Sequence, residues 1–169
     1  MKVLPARTVL VVDDDADVRS TLARVLGSAG YTILTAESGE EGLKLLASHP
    51  VQLVISDQNM PGMSGIDFLK VVRERHAHVL RMMLTADENP ATIVRSINEG
   101  EVYRFIQKPW DNTSLRTMVH FAFEVILLEE ENRQLLAIVR RQRAELRQIR
   151  PTVDVEAELV LAEAELLER

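Results

Sequence analysis

Short runs of aliphatic and β-branched residues recur along the chain, at 8–12, 32–36, 53–56, 80–84 and 103–107, and each predicts a strand. Between them the apolar positions change to helical spacing. Val18, Leu22, Val25 and Leu26 fall at i, i+4, i+7 and i+8, and Gly27 and Gly30 supply a stop. Ser38 with Glu41 three residues later predicts a capping box ahead of Leu43, Leu46 and Ala47. Phe68, Leu69 and Val72 mark a third helix. Pro90, at a first-turn position, opens another that holds Ile93, Val94 and Ile97 and stops at Gly100. Strands alternating with helices imply a parallel sheet covered on both faces, because right-handed crossovers place the helices there. The fold class expected is doubly wound α/β. In such sheets ligands bind beyond the carboxyl ends of the strands, which directs attention to the residues at those ends.

The last predicted helix differs from the others in length. Asp111, Asn112 or Thr113 can start it, and no Gly or Pro interrupts it before Pro151. Along it Met118, Phe121, Val125, Leu128, Asn132, Leu135, Val139, Gln142, Leu146 and Ile149 alternate spacings of three and four, which is a heptad seam. Its first turns are expected to pack on the sheet, and two chains in register would cover the rest. Asn132 at an a position suits a parallel pair, where a buried amide fixes register at some cost in stability. Glu145 and Arg150 would attract across the pair, whereas Glu124 and Glu129 repel and Gln142 is a weak d residue. A marginal coil is expected, with Val125, Leu128, Asn132, Leu135, Val139 and Leu146 as its dimer contacts. A helix lying on its own domain is the alternative. Residues 152–169 predict one more short helix, carrying six acids and one Arg, while 133–150 carry six Arg and one Glu. It would either fold back on the basic stretch or act as a connector. The organisation expected is an α/β domain over 1–125, a coiled-coil helix over 126–150 and an acidic helix over 151–169.

Composition narrows the chemistry. With 46% hydrophobic and 27% charged residues, the chain has ordinary globular proportions, which excludes global disorder. The net charge of −6 supplies no positive field for phosphate backbones or anionic lipid, so neither nucleic acid nor membrane is expected as a direct partner. The lack of Cys excludes disulfides, thiolate zinc sites and thiol nucleophiles. The first apolar run meets Asp13 after five residues, too soon for a signal peptide or a membrane span, and a soluble cytoplasmic protein is expected.

Asp13 and Asp14 follow the first strand, Asp57 the third, Thr85 the fourth and Lys108 the fifth, so all five should converge on one rim. Clustered carboxylates repel by roughly a few kcal/mol per pair at an effective dielectric near 20, and such a cluster calls for a cation. A hard divalent ion with oxygen ligands, such as Mg2+, would relieve the repulsion and keep waters for a phosphoryl substrate. Lys108 adds a movable positive charge. A carboxylate nucleophile, a screening cation, a hydroxyl and an ammonium together describe phosphoryl transfer to an aspartate, with Asp57 as acceptor ahead of the turn Asn59-Met60-Pro61-Gly62. Singly, each residue also has a structural reading. Thr85 reads equally as a residue that satisfies a strand end, Lys108 as a solvated loop charge and Phe105 as core.

Val11-Val12-Asp13-Asp14-Asp15, Ile55-Ser56-Asp57-Gln58-Asn59-Met60-Pro61-Gly62-Met63-Ser64-Gly65, Leu84-Thr85-Ala86 and Phe105-Ile106-Gln107-Lys108-Pro109-Trp110 together resemble the receiver domain of bacterial two-component response regulators, over about residues 7–125. The resemblance implies a five-stranded sheet of order 2-1-3-4-5. It implies phosphoryl acceptance on Asp57 from a histidine kinase or phosphotransfer protein, and no enzymatic turnover beyond self-catalysed transfer and dephosphorylation. It also implies Mg2+ held by the side chains of Asp14 and Asp57 and the backbone carbonyl of Asn59, with Asp13 acting through water. Thr85 and Lys108 would hold phosphoryl oxygens, and Phe105 would be the aromatic switch that moves with Thr85. Asn59 and Asp87 occupy the positions that tune hydrolysis, and small polar groups there imply a short phosphorylated lifetime. Tyr103 to Trp110 followed by a long helix resembles receivers attached to cyclic-di-GMP enzymes or enhancer-binding activators. Two rivals stand beside this reading. One is a coiled-coil adaptor indifferent to phosphorylation. The other is an aspartate-nucleophile phosphatase, whose Asp-x-Asp-x-Thr/Val motif fails at Asp17.

Overall fold

The computed structural model describes residues 7–86 and 102–149, with side chains to Arg147. The helix expected from Pro90, Asp87 and the segment after Pro151 lie outside the described residues. The chain divides into two compact units, Met1–Ile126 and Leu127–Arg169.

In the first unit β1 (Thr8–Val12), α1 (Ala16–Gly27), β2 (Thr32–Ala36), α2 (Gly39–Ser48), β3 (Leu53–Asp57), α3 (Gly65–Arg75), β4 (Leu80–Thr85) and β5 (Arg104–Gln107) alternate as the pattern predicts, ahead of α4 (Asn112–Ile149). The five strands form one parallel sheet of order β2-β1-β3-β4-β5. Side chains alternate across it. Val9 and Val11 of β1 face a core shared with Leu22 and Leu26 of α1 and with Leu115, Val119 and Phe123 of α4. Leu10 and Val12 face the opposite core, built on Leu46 of α2 and on Phe68, Leu69 and Val72 of α3.

Capping follows the sequence with one difference. The Ser38 hydroxyl accepts from Glu41 N at 3.3 Å, but the Glu41 carboxylate reaches back to Glu37 N at 2.8 Å, one residue before the cap. Asp15 and Ser64 cap α1 and α3 in the same manner, accepting from Asp17 N and Asp67 N. β3 and β4 each run one residue beyond the apolar run that predicts them. Asp57 pairs with Leu84 and Thr85 with Gln107, because the backbone ladder continues where the side chains turn polar. β5 conversely starts at Arg104 rather than Tyr103.

The first turns of α4 pack on the sheet, and Met118 of the seam joins that core. Leu115, Val119, Ala122 and Phe123 are buried, whereas Phe121, the first d residue after Met118, is 56% exposed. Phe123 stacks on Tyr31 at 5.0 Å between centroids, and Arg116 donates to Val25 O at 3.3 Å, near the carboxyl end of α1, where a cation is favoured. In the second unit Leu128, Leu135, Val139 and Leu146 are exposed, as is Asn132. Among the described residues no helix is long and apolar enough to cross a membrane.

Candidate functional site

The parallel strands bring their carboxyl ends to one rim, and three of the five expected residues meet there directly. Lys108, just past β5, donates from Nζ to Asp57 Oδ1 at 2.6 Å and to Asp13 Oδ2 at 3.0 Å. Asp13 is 1% exposed and Asp57 7% exposed, so the ammonium bridges two carboxylates withdrawn from water. Both remaining oxygens are also held. Asp57 Oδ2 accepts from Asn59 N at 2.8 Å, and Asp13 Oδ1 accepts from Asp15 N at 2.9 Å. Arg19 of α1 donates to the Asp13 carbonyl at 2.5 Å.

Two glycines let the Asp57 loop take this course. Gly62 sits at φ 77, in the left-handed region that side chains disfavour. Gly65 packs on the Asp57 backbone, where an added Cβ would lie 1.9 Å from Asp57 O. Its N–H donates to Gln58 O at 3.0 Å, closing the loop that begins at Asp57.

Charge is unevenly shared. Burial pushes the Asp13 carboxyl above its usual range, and the bonds from Asp15 N and Lys108 offset only part of that. Burial lowers the Lys108 ammonium, but its hydrogen bonds to Asp57 and Asp13 outweigh the loss and raise it. The ammonium gains more than the Asp13 carboxylate because it serves two acids.

The remaining expected residues stand differently. Asp14 and Asn59 are exposed. Among the described residues no group of three or more His, Asp or Glu is disposed to hold a metal ion, so the expected three-acid cluster reduces here to the Asp13 and Asp57 pair. That pair with one ammonium still leaves a net negative charge, to which Asp14 adds. Mg2+ binds through one or two carboxylates and keeps several waters, so an all-oxygen set of this size fits it. Thr85 is 1% exposed; its carbonyl accepts from Lys108 N at 2.8 Å and its hydroxyl donates to Gln58 Oε1. Phe105 is half-buried against the α2 and α3 core, and Trp110 packs on the α1 and α4 core. The Lys108–Pro109 peptide is cis. Sequence reasoning did not single out Gln58, Gly65 or Arg19. Gly65, directly before an apolar helical run, carried the one usable signal.

The response regulator receiver domain model matches residues 9–120. Hydrogenase transcriptional regulatory protein HoxA of Cupriavidus necator is 36% identical over 141 residues, covering 83% of this chain and 29% of the relative. DNA-binding transcriptional regulator NtrC of Escherichia coli is 38% identical over 103 residues, covering 61% and 22%. The chain thus spans under a third of the length of either. The signal receiver domain of an HD domain-containing protein from Pseudomonas fluorescens superposes with a TM-score of 0.72 at 34% identity, covering 78% of this chain and 96% of that one. With a family match over most of its length and the sheet order and acidic rim to accompany it, the chain belongs to the response regulator receiver family of two-component signalling.

Proposed function

We propose that the chain accepts a phosphoryl group on Asp57 from a histidine kinase or phosphotransfer protein. A carboxylate oxygen of Asp57 attacks phosphorus, a P–O bond forms, and the P–N bond to the donor imidazole breaks with its electron pair leaving on nitrogen. Asn59 N keeps Asp57 Oδ2 oriented, which leaves Oδ1 for the attack. Lys108 transfers its hydrogen bond from that oxygen to an incoming phosphoryl oxygen while Asp13 retains the other end of the ammonium. Thr85 turns its hydroxyl toward the phosphoryl group, and Phe105 moves with it. A Mg2+ ion held by Asp14, Asp57 and the Asn59 carbonyl, with Asp13 acting through water, would screen the anionic phosphoryl group from the anionic acceptor.

The observation that carries this reading is the single ammonium of Lys108 bridging Asp13 and Asp57 at the carboxyl ends of β1 and β3. Intact-mass measurement after incubation with a small acyl phosphate tests it. Wild type gains one phosphoryl mass in Mg2+ and not in chelator, and Asp57→Asn gains none; an adduct that persists in Asp57→Asn rejects the reading.

The exposed stripe of α4 supports the output. Val125, Leu128, Asn132, Leu135, Val139 and Leu146 pack against a second copy in a parallel coil, over a partition at 1–125, 126–150 and 151–169, and phosphorylation shifts that association. The names of the two curated relatives favour transcriptional control as the process served.

A further inference from the structure

We propose that Gln58 is a positioning residue that sets the phosphorylation threshold by competing with the phosphoryl group for the hydroxyl proton of Thr85. The inference rests on the reading of Asp57 as phosphoacceptor and adds a component to it.

A threonine hydroxyl carries one O–H donor. In this structure that donor goes to Gln58 Oε1. The contact comes from two fixed points. Gln58 N donates to Leu84 O at 3.0 Å and Gln58 O accepts from Gly65 N at 3.0 Å, so the backbone from which the carboxamide projects is tied on both sides. Thr85 is held by its ladder pairing with Gln107 and by Lys108 N on its carbonyl at 2.8 Å. The hydroxyl therefore changes partner by side-chain movement within a fixed frame.

The two ends of the bond differ in their access to water. Thr85 is 1% exposed, and a buried hydroxyl without an acceptor is costly, so leaving Gln58 Oε1 is favoured when a phosphoryl oxygen offers the proton another acceptor. Gln58 is half-exposed, and water replaces Thr85 at its oxygen once the hydroxyl leaves. Gln58 thus stabilises the unphosphorylated arrangement by a modest amount and contributes little after the exchange. Removing the acceptor destabilises only the starting state, which makes the phosphoryl-bound state easier to reach.

Fluorine NMR titration of the whole chain with beryllofluoride in Mg2+, a phosphoryl mimic, measures this. Gln58→Met removes the acceptor at similar volume, and Gln58→Asn keeps the amide but shortens its reach by one methylene. Each tightens binding by about two- to tenfold, the range of one neutral hydrogen bond. In a Thr85→Ala background the same changes have no effect, which a purely structural role of Gln58 would not produce. Thermal melts confirm that each variant is folded, and the two substitutions at 58 back each other up. Unchanged or weaker binding in both overturns the proposal, as does equal tightening without Thr85. If wild type itself binds no beryllofluoride, or Asp57→Asn binds it equally, the phosphoacceptor reading fails and this proposal with it.

Discussion

Within the first unit, Leu115, Val119, Ala122 and Phe123 of α4 lie on the sheet and are at most 2% exposed. Farther along the same helix Leu128, Leu135, Val139 and Leu146 repeat at similar intervals and stand 44–61% exposed. Burying one such side chain stabilises by about 1.5–3 kcal/mol, so the first group helps hold a domain together and the second retains a driving force for association. Periodicity announces that a face will be covered; what covers it depends on the neighbours. For the first stripe the neighbour is the sheet of the same chain. For the second, the proposed neighbour is another copy.

Substitutions sharpen that contrast. Phe123→Ala should cost about 3–5 kcal/mol in denaturant unfolding, the usual range for emptying a packed aromatic site. Leu135→Ala should leave the unfolding of the first unit within about 0.5 kcal/mol. Exchanging Leu128 and Leu135 together for Glu should raise the dimer dissociation constant at least about a hundredfold in sedimentation experiments. A wild type that sediments as a monomer at all concentrations breaks the comparison.

The acidic rim gives a smaller effect of opposite sign. Asp13 keeps its proton to higher pH when folded than when unfolded, with an ordinary value of 3.8, so its ionisation weakens the fold progressively as pH rises past that value. Asp13→Asn should therefore raise the melting temperature by a few degrees at neutral pH, and the gain should vanish in acid below the unfolded value. Smallest of all, Arg141→Ala removes an ion pair whose side chains are 82% and 57% exposed, and should change stability by less than about 0.5 kcal/mol.

Much of this was legible in the amino-acid pattern, for identifiable reasons. Strand ends show as an apolar run meeting a polar residue, which placed Asp13, Asp57 and Lys108 at one rim. The same cue ended β3 and β4 one residue early, because backbone pairing outlasts the apolar run at Asp57 and Thr85. Gln58 was invisible because the residue it contacts, Thr85, is twenty-seven residues away and on the neighbouring strand. Gly65 showed only as a glycine ahead of an apolar helical run, since its need for hydrogen in place of a side chain arises only once α3 closes on the Asp57 carbonyl. That the first turns of α4 pack on the sheet follows from the spacing, but which residues do so does not, because two apolar stripes overlap there and spacing alone does not rank them.

The most direct measurement of the central claim is chemical. After treatment with an acyl phosphate and Mg2+, borohydride reduces an aspartyl phosphate to homoserine, and peptide mass mapping locates it. The account predicts homoserine at position 57 and at no other acid. Homoserine at Asp13 or Asp14, or phosphoryl uptake that leaves Asp57 intact, would contradict it.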